Sequence, residues 1–138
     1  MAARPKTFKY GTGPVPDLLS IKVKGSTTVE KGKIAVINAG YLAPGSAATG
    51  LIAVGRVRET VVNGGSDGDV RAEVEQGCFN WDNAGSTDAC TQAEVGTDVY
   101  ILDAVTVTKT STGHSKAGKL IDILANGQCV VQMGLGVV

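Results

Sequence analysis

The segment spanning residues 96–133 constrains the fold more than any other part of the chain. Short β-branched runs are joined there by turn chemistry, and no catalytic constellation lies among them. Val99 and Ile101 alternate with Tyr100 and Leu102, Val105 and Val107 with Thr106 and Thr108, and Ile121 and Ile123 flank Asp122. A period of two sends one set of side chains to one face, the signature of a half-buried strand. Cys129 alternates with Val131 and Met133 in the same way. Just before it, Asn126-Gly127 offers two residues able to adopt positive φ, which predicts a tight two-residue hairpin. The expected fold class is all-β: a compact small barrel or sandwich of short antiparallel strands. Function is then expected on surfaces and not in a pocket.

The upstream chain supports the same class. Leu19, Ile21 and Val23 alternate with Ser20, Lys22 and Lys24 and predict a first strand. Residues 30–33 read as a turn before the apolar run 34–37, and Asn38-Ala39-Gly40 closes that strand before Tyr41-Leu42. Residues 51–57 form another apolar strand ending in the polar loop 63–69. Val70, Ala72 and Val74 then alternate with Arg71, Glu73 and Glu75, with residues 77–81 continuing the strand. One short helix is expected over residues 89–95, capped by Asp88 or Thr87 and ended by Gly96 in left-handed geometry. The 19 glycines fall mainly at these junctions, as frequent turning requires.

Residues 1–17 differ in kind. Pro5, Pro14 and Pro16 remove amide donors and fix φ, so the segment is expected to be an extended N-terminal arm, leaving residues 18–138 as a single β-rich domain. Arg4, Lys6 and Lys9 sit there among Phe8 and Tyr10, a composition suited to docking on another surface. The 138 residues suffice for a self-supporting core, but with 4% aromatics it must be assembled from Val, Ile, Leu and Ala. Thirteen basic residues balance thirteen acidic ones, so no net field favours nucleic acid or an anionic membrane as partner. No apolar run reaches the roughly 20 residues that span a bilayer, and the basic start lacks the apolar stretch of a signal peptide. A soluble protein made in a reducing cytoplasm is expected, and its three cysteines fit that compartment better than a disulfide framework.

Several motifs offer candidate sites. Residues 113–119 match the spacing of a phosphate-binding loop as far as Lys119, but Leu120 stands where a magnesium-binding hydroxyl belongs and a strand-like run follows instead of a helix. Ser66, Asp67 and Asp69 resemble the opening of a calcium loop without its later acidic ligands, which favours a solvated turn. His114 is the sole histidine and no Cys-x-x-Cys pair is present, so no metal is expected. A Cys-His nucleophile pair drawn from Cys78 or Cys90 with His114 lacks an orienting group; free cysteines most often act as small buried hydrophobes, and Cys129, alternating with Val131 and Met133, reads as one. Phe79 and Trp81 suggest either a sugar-binding platform or, with so few aromatics, core packing. No enzymatic activity and no cofactor are expected.

Taken in order, VEKGKIAVI, LIAVGRV, VRAEVEQGCFNW, CTQAEVGTDVYILD and HSKAGKLIDILANGQCVVQMG resemble the capsid cement, or head decoration, proteins of tailed bacteriophages. The resemblance covers roughly residues 25–133, and residues 92–100 and 117–131 carry most of its specificity. It implies a β-rich homotrimer on the outer capsid surface of a virion, made in the host cytoplasm, whose partner is the major capsid protein. The Pro-rich arm and the GLGVV extension depart from the family pattern. Arg4, Pro5, Lys6, Phe8, Lys9 and Tyr10 are the candidate capsid-contact residues of that arm. The alternative is a carbohydrate- or receptor-binding β-module displayed on a particle.

Overall fold

The computed structural model describes residues 18–135, so the arm and its candidate contacts Arg4, Pro5, Lys6, Phe8, Lys9 and Tyr10 lie outside the described residues. Those described form β1 (Leu18–Lys22), β2 (Thr27–Val29), β3 (Ile34–Asn38), β4 (Tyr41–Pro44), β5 (Ile52–Val57), β6 (Val61–Asn63) and β7 (Arg71–Glu75). Then follow β8 (Gly77–Asn83), β9 (Asp98–Ile101), β10 (Thr106–Thr108), β11 (Lys116–Ile123) and β12 (Cys129–Met133). The fold is all-β, as the alternation required. Strands β1-β7-β5-β3-β4 make an open sheet, β10-β8-β12-β11-β9 close a small barrel, and β2 pairs with β6 in a separate ribbon.

Strand β3 joins the two halves. Its run Ile34-Ala35-Val36-Ile37 has no polar face because both of its faces are covered. Ile34 and Val36 enter the barrel-side core with Val99, Ile101, Leu120 and Val131. Ala35 and Ile37 enter a second core with Leu42, Val54, Ala72 and Val74, which β2 and β6 help to close through Val29 and Val61. Trp81 and Phe79, on the barrel side, are the aromatic members of the two cores.

Four local expectations are corrected, and two strands are added. The run 70–81 is not one strand: β7 stays in the open sheet, and Gly77, at φ +147°, swings the chain into the barrel as β8. Only glycine adopts that backbone readily. The loop before β12 is not a two-residue turn. Leu124 N–H donates to the Gln128 carbonyl at 2.9 Å, and Gly127 N–H donates to the Leu124 carbonyl at 2.8 Å. Gly127 alone has positive φ, so Ala125-Asn126-Gly127 form a three-residue loop ending in a left-handed residue. Third, the strands are not all antiparallel, since β8 and β10 pair in parallel.

The expected helix is replaced by single 3₁₀ turns, Ser86–Asp88 and Gln92–Glu94, with Thr91 as cap of the second and Gly96 left-handed as anticipated. A continuous helix is blocked because both backbone polar groups of Cys90 are engaged by the Asn83 side chain. Lastly, β2 and β6, three residues each, carry too short an alternation to stand out in the sequence.

Candidate functional site

The two segments that carry the resemblance, residues 92–100 and 117–131, become neighbours on the barrel. Strand β9 pairs with β11, which pairs with β12. Gly96 N–H donates to the Leu120 carbonyl at 2.7 Å, and Leu120 N–H returns a bond to the Thr97 carbonyl at 3.0 Å. Before β9, a capping box closes the turn: Glu94 Oε1 accepts from Thr91 N–H at 2.7 Å while Thr91 Oγ1 accepts from Ala93 N–H at 3.3 Å. The Thr91 amide, and next the Thr91 hydroxyl, which donates to the same Oε1 at 2.8 Å, hold the Glu94 carboxyl below its ordinary range.

Asp98 sits opposite Lys119 in the β9–β11 register. Lys119 Nζ donates to Asp98 Oδ1 at 2.9 Å and Lys116 Nζ lies 3.4 Å from the same oxygen. The Lys119 bond, aided by Lys116 and opposed by partial desolvation, holds the Asp98 carboxyl below the usual carboxylate range. Lys119, the residue of the phosphate-loop spacing, is therefore engaged by a carboxylate on a strand, and no helix follows it.

A shallow apolar groove adjoins this face. Leu51, just before β5, and Ile52 and Ala53 on it border the groove, with Ala117 and Gly118 from β11 and Leu135 from beyond β12, around a volume of about 180 Å³. Strand β5 pairs with β7 at Arg56 and Val57, and β11 pairs with β12 from Lys119 onward, so the first residues of both strands lie beyond those ladders, beside the opening. Ile52 is 56% exposed. On the same strand as Ala117, the register shift between Leu120 and Asp122 turns Ile121 outward while Leu120 stays in the core. Such a bulge re-aims one side chain without breaking the strand.

Comparison with protein-family models, curated proteins and solved structures finds no match to this chain.

The other residues singled out by the sequence have defined positions. Trp81 is 3% exposed, inside the barrel, and its Nε1–H donates to Met133 Sδ at 3.1 Å. Phe79 is half-buried, meets Trp81 edge-on at 6.4 Å, and carries the Arg56 guanidinium 4.5 Å above its ring. Arg56 is in turn bound to Glu75 at 3.0 Å. The pair thus serves packing and a cation–π contact, and the indole presents no open face for a sugar.

In the loop 63–69, Asp67 Oδ1 accepts from Gly25 N–H at 2.8 Å and Asp69 Oδ2 from Ser66 N–H at 2.9 Å. Buried Asn63 donates to the Val23 and Ser66 carbonyls. The two carboxylates tie backbone amides in a turn that is exposed to solvent, as expected. Among the described residues no group of three or more His, Cys, Asp or Glu converges on one point. Cys78 is exposed while Cys90 and Cys129 are buried. His114 leaves its Nδ1 buried without a hydrogen-bond partner.

The groove is not legible in the sequence because residues 51–54 form an unbroken apolar run that reads as fully buried. The one usable signal was an absence of alternation in a strand that proves to be exposed at its first residue.

Proposed function

We propose that this chain is a structural virion protein that binds the outer surface of a tailed-phage capsid as a homotrimer and cements contacts between major capsid subunits. The observation that carries the reading is the meeting of residues 92–100 and 117–131. The two stretches that most resemble capsid cement proteins are laced strand to strand on one barrel, so the likeness describes one surface and not two scattered fragments. The exposed apolar groove beside that surface, with Ile52 and Leu135 at its rim, gives an adhesive face whose burial contributes free energy to association.

A protein bound across a joint between capsomers stabilises only the assembled state, and many symmetry-related copies multiply the effect. Balanced charge limits self-repulsion when copies crowd a shell. The arm, with Arg4, Pro5, Lys6, Phe8, Lys9 and Tyr10, adds a second grip by laying an extended segment on a neighbouring chain.

Co-sedimentation with expanded empty shells of the phage that encodes the chain tests this directly. The full chain is expected to pellet with shells as trimers, and a chain lacking residues 1–16 is expected to remain folded yet lose occupancy. A monomer that stays in the supernatant refutes the function. Undiminished occupancy after the truncation refutes the arm's role alone.

A further inference from the structure

The chain carries the dipeptide Asn-Gly twice, at residues 63–64 and 126–127, and the fold treats the two oppositely. Asparagine is among the chemically labile side chains. The next backbone nitrogen along the chain can attack its side-chain carbonyl carbon and close a five-membered imide. A glycine in that next position leaves the approach open, because it carries no Cβ. The other asparagines, Asn38, Asn80 and Asn83, precede alanine or tryptophan and lack that opening.

Asn63 is locked in place. It ends β6 opposite Thr27 of β2 and is 1% exposed. Its Nδ2 donates to the Val23 carbonyl at 3.0 Å and to the Ser66 carbonyl at 2.9 Å, and its Oδ1 accepts from Gly65 N–H at 3.0 Å. Turning the carboxamide toward Gly64 N breaks these three bonds together. Buried partners then stand without water to replace what they lost, which is costly.

Asn126 is exposed, in the three-residue loop between β11 and β12. Its partners are all local. Oδ1 accepts from Gln128 N–H at 3.0 Å and Nδ2 donates to Gln128 Oε1 at 3.2 Å, both at exposed positions. The attacking nitrogen, Gly127 N, donates to the Leu124 carbonyl at 2.8 Å within the same loop. These bonds open with the loop alone and water takes their place, while the pairs Ile123–Cys129 and Leu120–Val131 hold the two strands together.

We propose that Asn126 is a self-modification site: the folded protein converts it through a succinimide with Gly127 to aspartate and isoaspartate, while Asn63 stays an amide. Gly127 N loses its proton and bonds to Asn126 Cγ. The Cγ–Nδ2 bond breaks, and Nδ2 leaves with that proton as ammonia. Water then opens the ring at either carbonyl. Breaking the bond between Gly127 N and Cγ gives aspartate, and breaking the bond between Gly127 N and the main-chain carbonyl carbon gives isoaspartate. Water is the only co-reactant. Because the nitrogen attacks as its anion, the conversion accelerates as pH rises.

The product adds a negative charge to the loop from which Gln128 Nε2 donates to Asp82 Oδ1 at 3.2 Å. Isoaspartate also routes the main chain through its Cβ, lengthening the loop that the Leu124 N–H bond to the Gln128 carbonyl closes. The residues that suit this loop to a turn are thus the ones that make it reactive. The inference does not depend on capsid binding.

The test incubates the purified full chain at neutral and mildly alkaline pH, native and in concentrated urea, and follows the peptides holding residues 63 and 126 by mass spectrometry. Conversion reads as the mass change from amide to acid, and isoaspartate as methyl groups accepted from S-adenosylmethionine through an isoaspartyl methyltransferase. In the native chain residue 126 is expected to convert about a hundredfold faster than residue 63, a factor set by the three hydrogen bonds that Asn63 must break. In urea the two are expected to convert at comparable rates. Asn126→Ser is expected to abolish methyl acceptance by the native chain. The proposal is overturned if the native chain keeps Asn126 as the amide while the unfolded chain loses it, or if residues 63 and 126 convert at the same rate in the native chain. Undiminished methyl acceptance in a folded Asn126→Ser chain overturns it equally. The peptide maps of the unsubstituted chain decide the matter even where that variant does not fold.

Discussion

Asp98 holds the ends of two lysine side chains against the barrel wall, with itself and both lysines about one-third exposed. Its carboxyl is depressed by the Lys119 bond first and by Lys116 next. A carboxylate depressed in the folded state contributes stability above its unfolded pKa of about 3.9 and loses it as pH falls through the lower folded value. Asp98→Asn is therefore expected to lower stability at pH 7 by about 0.5–1 kcal/mol, the range of partly exposed ion pairs. The deficit is expected to vanish in acid below the folded pKa. Urea titrations of both proteins at neutral and acid pH measure it; an equal deficit at both would place the effect in shape and not in charge.

Nothing in the spacing of Asp98 and Lys119 announces that contact, because strand register across 21 residues is set by tertiary packing. The inward positions Cys129, Val131 and Met133 were legible, since alternation alone fixes which face a strand side chain takes. That Trp81 would pack, and that Met133 would be its hydrogen-bond acceptor, was legible only in its first half.

At the scale of elements, the hairpins show where turn chemistry informs and where it misleads. Asn126-Gly127 is a strong two-residue turn signal, yet the partner strands demand a three-residue loop. The two-residue turn occurs instead at Ala39-Gly40, between paired Asn38 and Tyr41, with φ of +52° and +92°. Both central residues are left-handed there, as a type I′ turn requires, and the first of them carries a Cβ that disfavours the geometry. The hairpin itself was read correctly, because a Gly between two apolar runs suffices for that.

Ala39 is exposed and strained by its backbone alone. Ala39→Asn is expected to stabilise the protein by roughly 0.5–1 kcal/mol, because Asn tolerates the left-handed region. The check is an upward shift of the urea midpoint at constant slope. A downward shift would mean that the turn is not the conformation that limits this hairpin.

Across the whole molecule, β3 decides how the open sheet and the barrel behave together. Its side chains at 34 and 36 fill one core and those at 35 and 37 the other, so neither core is complete without the same strand. The apolar run of β3 was visible in the sequence, but an unbroken run does not say whether its two faces meet one core or two. Sheet order was equally out of reach, because β7 and β8 are adjacent in sequence and part company at Gly77.

A shared strand makes partial unfolding costly: losing the open sheet strips Ile34 and Val36 from the barrel, and fully burying such side chains contributes about 1.5–3 kcal/mol each. The two halves are therefore expected to unfold in one transition. The chain has a single tryptophan, and Trp81 lies in the barrel-side core, whereas Val54 lies in the other. Val54→Ala, costing roughly 2 kcal/mol through the cavity it leaves, is thus expected to move the midpoint seen by Trp81 fluorescence as far as the midpoint seen by far-ultraviolet circular dichroism. If fluorescence holds its wild-type midpoint while the dichroism shifts, the barrel stands without the sheet and β3 does not couple them.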